Sequence, residues 1–300
     1  VFFDASSSGT CTIAAGNTGA KSITCTGFTG TITGSSAITV AGSVTLVAGM
    51  TYTHTGTMTL TGTGTLTTAG KTFSGVTVNG AGITVTLGDA LNTSTRTLTI
   101  TEGTFDAANY NVTVELFSSE NSNTRTITMG SGLWTLTGSG VLWRTITVTG
   151  LTFNKDTADI LASNTTVSSR DFQSGGLTFN KLTIGGATGI SSFRLSGVPS
   201  FSELASIKTV AHTIEYNGNV GTIGTWRVTG TSGNVVTLTG LGSPRAVTLT
   251  NITSGIDFLG VTNINVNQAN RFYVGTNSTN GGGNTNVIFT APPGNFFMLF

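Results

Sequence analysis

Charge is what this sequence has least of. Lys and Arg number 13 and Asp and Glu 12 in 300 residues, so charged side chains make up 8% of the chain and the formal net charge is +1. An average soluble domain carries roughly 25%. No two basic residues adjoin, and a phosphate backbone needs clustered Lys and Arg, so nucleic-acid binding is disfavoured. No apolar stretch approaches the roughly 20 residues of a membrane span, which argues against membrane insertion by a helix. Proline occurs only 4 times, unlike Pro-rich disorder. Histidine and cysteine occur twice each, too few beside one another to suggest a metal centre. The start, VFFDASSSGT, has neither an initiator Met nor a signal-peptide pattern, and reads as an internal start left by processing or a chain boundary. With so little charge there is little mutual repulsion, which suits a surface that packs against copies of itself.

What fills the space is threonine, about a fifth of the chain, and glycine, 42 residues. The glycines lack the one-in-three period of collagen. Threonine alternates with apolar residues in short runs such as SITCTG, VTVNGAGITVTLG, NVTVELF and AVTLTNI, bounded by Gly, Asn, Ser or Asp. Period-2 alternation of β-branched residues between turn formers is the pattern of strands. In TYTHTGTMTLTGTGTLTT (51–68), Gly56, Gly62 and Gly64 break one long alternation into two or three short strands joined at corners. Tyr52, Met58, Leu60 and Leu66 face inward and the threonines outward. Only FSELASIKTV (201–210) suits a short helix, with Ser202 as cap and Leu204, Ile207 and Lys208 at helical spacing.

Degenerate repeats run through the chain. TLTGTGTL (59–66) returns as TLTGSGVL (135–142), TFSGVTVNGAG (72–82) as TFNKLTIGGATG (178–189), and LTFNK occurs at 151–155 and 177–181. Short β units stacked at a loose period predict a parallel β-helix, or β-solenoid, of roughly 20–25 residues per coil and on the order of a dozen coils. A string of β-sandwiches is the competing architecture, but no Pro-rich or charged linker separates one from the next. The expected organisation is a Thr/Gly-rich solenoid over 1–190, a less regular continuation or second β module over 191–290, and an apolar tail over 291–300.

The runs VFFDA, TGFTGTI, KTFSGVTVNG, GTFDAANYNVTV, GSGLWTLTGSGVLW and GGGNTNVIFTAPP resemble the Thr/Gly-rich β-helix segments of bacteriophage fibre or appendage proteins and of bacterial surface adhesins. The resemblance is compositional and covers most of the chain. It implies an extracellular or virion-surface fibre that attaches to something.

Chemistry is sparse. Glycoside hydrolysis needs two carboxylates across one groove, and calcium-assisted elimination needs several acidic ligands. The acids are scattered singly, and the closest pair, Asp156 and Asp159 beside Lys155, reads as a solvated loop. A polysaccharide-degrading β-helix is the enzymatic alternative, requiring acids that converge across coils. His54 and His212 stand apart from any Cys or carboxylate cluster. NGGGN (280–284) lacks the Lys and helix of a phosphate loop. The sequons at Asn111 and Asn277 are expected by chance in so much threonine. Thr-x-Thr pairs suggest ice binding as a second alternative, but they recur at irregular intervals and Arg96 and Arg125 interrupt two of them.

Aromatic residues near turns are the candidate ligand contacts: Trp134, Trp143, Trp226, Tyr110 and Tyr273. The competing role for the tryptophans is packing of corners. Phe2 and Phe3 at one end and Phe296, Phe297, Met298, Leu299 and Phe300 at the other form apolar clusters suited to capping a coil or docking a neighbouring copy. Cys11 and Cys25, in identical TCT tripeptides, are either two small buried residues or a disulfide between neighbouring strands outside a reducing cytosol. The expectation is a non-enzymatic structural and adhesive protein without cofactor or metal, whose partners are copies of itself and a surface or glycan receptor.

Overall fold

The computed structural model describes residues 1–16, 19–186, 188–267 and 271–290, the side chains at 94 and 95 excepted. No helix occurs among them; parallel strands wind into a β-solenoid of about 12 turns. The chain divides into two compact units, Val1–Asn164 with Gln173–Gly175, and Thr165–Phe172 with the residues from Gly176 onward.

In the first unit strand after strand pairs in parallel with a strand one coil later. Ile38, Met58, Val76, Leu98, Phe117 and Trp143 stack in one inward row, all buried. Such a row removes apolar surface from water at every step, about 25 cal/mol for each Å², while the parallel ladder satisfies the backbone. Segment 51–68 forms the short strands Thr51–Tyr52, Met58–Leu60 and Gly64–Thr67. Met58, Leu60 and Leu66 point into the core as their alternation requires. Gly62 lies at the corner between the last two strands, where a Cβ would run into the Ala41 carbonyl of the preceding coil. Its missing side chain lets the coils close to strand spacing.

In the second unit, Thr178–Ile184, Ser200–Ser206 and Thr222–Arg227 pair in parallel, as do Ser192–Ser196, His212–Asn217, Val236–Gly240 and Leu259–Thr262. The helix expected at 201–210 is therefore a strand over Ser200–Ser206. Its alternation is interrupted: Phe201, Leu204 and Ala205 are buried while Ser202 is exposed. Of the residues at helical spacing, Leu204 is buried in the strand, whereas Ile207 lies past its end and is 65% exposed. Glu203 completes the strand's commitment, with Lys181 at 2.9 Å from the preceding coil and Arg227 at 2.9 Å from the following one.

Candidate functional site

The tryptophans are not ligand contacts. Trp134, Trp143 and Trp226 are all buried, because each occupies an inward position of its strand: Trp134 stacks between Val112 and Ile160, and Trp226 between Leu204 and Ile252. Phe117 packs 4.2 Å from Trp143 and 5.4 Å, edge-on, from Trp134. Every indole N–H is satisfied inside the protein: Trp134 donates to the Met129 carbonyl (3.2 Å), Trp143 to Thr145 Oγ1 (2.8 Å) and Trp226 to the Val228 carbonyl (2.8 Å). A residue beside a turn in sequence is still core when the pleat turns it inward.

The disulfide is also corrected: both thiols are free, Cys25 buried and Cys11 half-buried. They sit in different ladders, Cys25 opposite Phe3 and Cys11 opposite Ile32. Burial, and secondarily the neighbouring Cys11, pushes the Cys25 thiol up to about 11. Cys11, Phe3, Ile13, Ile32 and Tyr52 are among the residues around an apolar cavity of about 430 Å³ in the first coils. Phe3 leans on Phe28 at 4.9 Å, whereas Val1 and Phe2 are 62% and 65% exposed. The other expected assembly residues, Phe296, Phe297, Met298, Leu299 and Phe300, lie outside the described residues.

Several carboxylates are spent on architecture. Asp89 accepts from the backbone N–H of Thr68 (2.7 Å) and Ala69 (2.6 Å) on the neighbouring coil, Asp156 from Gly130 (3.0 Å), and Asp106 from Ala108 (2.9 Å). Glu203 and Glu215 are ion-paired. Among the described residues no group of His, Cys, Asp and Glu could hold a metal ion. Both histidines are buried and held by neighbours: His54 Nε2 lies 2.8 Å from the Ser36 carbonyl, and His212 bonds Ser206 Oγ and the Val210 carbonyl, both at 2.9 Å. Burial, aided by Lys208, lowers the His212 pKa against the opposing Val210 bond. Arg125, expected to interrupt an outer Thr face, points inward and is buried.

The outer faces of the first unit carry threonine in rows. Thr84, Thr104, Thr126 and Thr152 stack coil on coil, and beside them run Thr65, Thr86, Asp106, Thr128 and Asn154. A second face carries Thr39, Thr59, Thr77, Thr99 and Ser118. Intervals that are irregular in sequence become regular in space, because differences in coil length are taken up in the turns.

Tyr110 is 41% exposed, and its backbone N–H is tied to the Ala107 carbonyl at 2.8 Å in a turn. Tyr273 is half-buried at the edge of a groove. Two grooves, of about 540 and 470 Å³, flank the turn Ile252–Ile256 in the second unit. Arg227, Thr229 and Asn251 line the first; Asp257, Arg271, Tyr273 and Thr276 line the second. Sequence reading found Tyr273 through its flanking residues but not Arg271 or Asp257, whose approach depends on the packing of successive coils. Compared with protein-family models, with curated proteins and with solved structures, the chain gives no match.

Proposed function

We propose that this solenoid is a non-enzymatic structural and adhesive element of an extracellular fibre, filament or virion appendage. The observation that carries the reading is the outer surface: in-register rows of Thr, Ser and Asn over successive coils, nearly free of charge, around continuous inward rows of aliphatic and aromatic side chains. Such a scaffold offers stiffness and a repeated wall of hydroxyls and methyls. The individual carboxylates and histidines described above support the same reading, since they hold turns and coils in place.

Immunogold electron microscopy of the source material tests the proposal. Gold along fibres, filaments or particle surfaces is the expected result; gold confined to the soluble fraction overturns it. The double threonine row favours a second reading, ice binding, for which thermal hysteresis of the purified protein is the readout.

A further inference from the structure

We infer that the groove beside Tyr273 is a binding site for a saccharide that carries a carboxylate, an inference that rests on the adhesive reading and names the chemistry of its receptor. The groove, about 470 Å³, is formed by the turn Ile252–Ile256 on one side and by Asp257, Arg271, Tyr273, Gly275 and Thr276 on the other. What matters is which of these groups are already engaged.

Asp257 is. Its Oδ1 accepts from the backbone N–H of Phe258 and of Asn277, both at 2.9 Å, and its Oδ2 accepts from Asn277 Nδ2 at 2.6 Å. Gly275 packs directly over it with φ of +87°, and a Cβ there would strike the carboxylate and the Ile256 carbonyl. Asp257 thus builds the floor, and its charge is offset by three N–H donors. Thr253 is engaged as well, donating to the Trp226 carbonyl at 2.9 Å. In the adjoining groove Arg227 is paired with Glu203 at 2.9 Å.

Arg271 is different. It is exposed at the groove wall and, among the described residues, pairs with no carboxylate or carbonyl. Tyr273, Ser254 and Thr276 line the same space, and among the described residues their hydroxyls have no hydrogen-bond partner. The groove therefore offers one uncommitted guanidinium, a half-buried aromatic ring and three hydroxyls. A planar fork of N–H donors matches a carboxylate in bidentate fashion. An amphipathic ring suits the C–H face of a sugar while its hydroxyl stays polar, and Ser and Thr suit ring hydroxyls. An acidic sugar satisfies all three together. A neutral sugar leaves the cation unused, and an acidic peptide leaves the ring and hydroxyls without their match.

The test is calorimetric titration of the full chain with a short oligogalacturonate and with a neutral hexose oligomer of equal length, at low and at raised salt. The expected result is binding of the acidic oligomer, weakened by salt, and about tenfold or more weaker in Arg271→Gln, since a bidentate charged pair carries at least that factor. Tyr273→Phe weakens it less, and Arg96→Gln, an exposed arginine in the first unit, leaves it unchanged. Thermal unfolding of each variant verifies that the fold is retained. Equal affinity of Arg271→Gln and the natural chain overturns the site. Binding of the neutral oligomer alone overturns the carboxylate specificity while leaving adhesion standing. Absence of binding to either oligomer also overturns the site, and immunogold labelling, which does not depend on it, decides the structural reading separately.

Discussion

Arg125 is a buried cation whose removal should be felt throughout the first unit. Its guanidinium makes five hydrogen bonds, all to uncharged oxygens: Nε to Ser119 Oγ (2.7 Å), one terminal nitrogen to the carbonyls of Asn123 (2.9 Å) and Thr149 (2.8 Å), the other to those of Ser119 (2.9 Å) and Thr147 (2.6 Å). It thereby ties two loops on successive coils, which Glu120 joins from outside by accepting from the Thr147 N–H at 3.1 Å. Burial pulls the Arg125 pKa down and Glu120 opposes that fall. Arg125→Met keeps the aliphatic stem and deprives four carbonyls and a hydroxyl of their donor. Counting each bond at about 1.5–3 kcal/mol overstates the loss, because the guanidinium's own desolvation is relieved and water reaches the part-buried carbonyls. A net loss of about 3–5 kcal/mol is expected, since each buried carbonyl left without a donor costs about 1–3 kcal/mol and water compensates only those it reaches. At a urea dependence of about 3 kcal/mol/M, that lowers the midpoint by about 1 M or more. The assay is urea unfolding followed by Trp134 and Trp143 emission in a Trp226→Phe background, so that only the first unit reports. Arg125→Lys, with three donors for five acceptors, should fall between the two. A midpoint in Arg125→Met within about 0.3 M of the parent would refute the reasoning, as would a lysine variant no better than the methionine one.

Two further outcomes are expected. A thiol reagent at pH 8 should label Cys11 quickly and Cys25 only on unfolding, since Cys25 is buried and its thiol pushed up to about 11; two fast thiols in the folded protein, or none after denaturation without reductant, would contradict the structure. His212 is held neutral, with a pKa below its ordinary 6.5, so the unfolded chain takes up its proton first as pH falls. The stability this provides to the second unit is full above about pH 6.5 and is lost progressively as pH drops below it toward the folded value. His212→Gln should flatten that part of the stability profile measured between pH 7 and 5, and an unchanged slope would count against it.

The contrast between Leu66 and Trp134 shows how much of this protein can be read from its sequence. Leu66 is flanked by threonines, so alternation alone predicts its inward direction. Trp134 follows a Gly-Leu corner, where the start of the pleat is ambiguous by one residue, and a one-residue shift exchanges core for surface. The spacing of Leu204, Ile207 and Lys208 misleads for a related reason. A strand running out into the residues after its end reproduces the three- and four-residue steps of a helix, and only pairing with the strands on either side selects the extended form. The candidate site was less legible still. Tyr273 was visible, but Arg271 and the engagement of Asp257 by Asn277 are relations between turns that sequence distance does not encode.

By itself the sequence determined that this chain would be all-β, wound in short parallel coils, with threonine outside and aliphatic side chains inside. Those are consequences of local alternation and of glycine-marked turns, and they hold wherever the coils fall. Only the tertiary structure decided which threonines share a row, that the tryptophans and Arg125 are interior, that the two cysteines lie in different ladders, and that Arg271 and Tyr273 line one groove. Each of these depends on the register between coils. Register is set by the length and shape of every intervening turn and by packing across the whole stack, quantities that no single stretch of sequence contains.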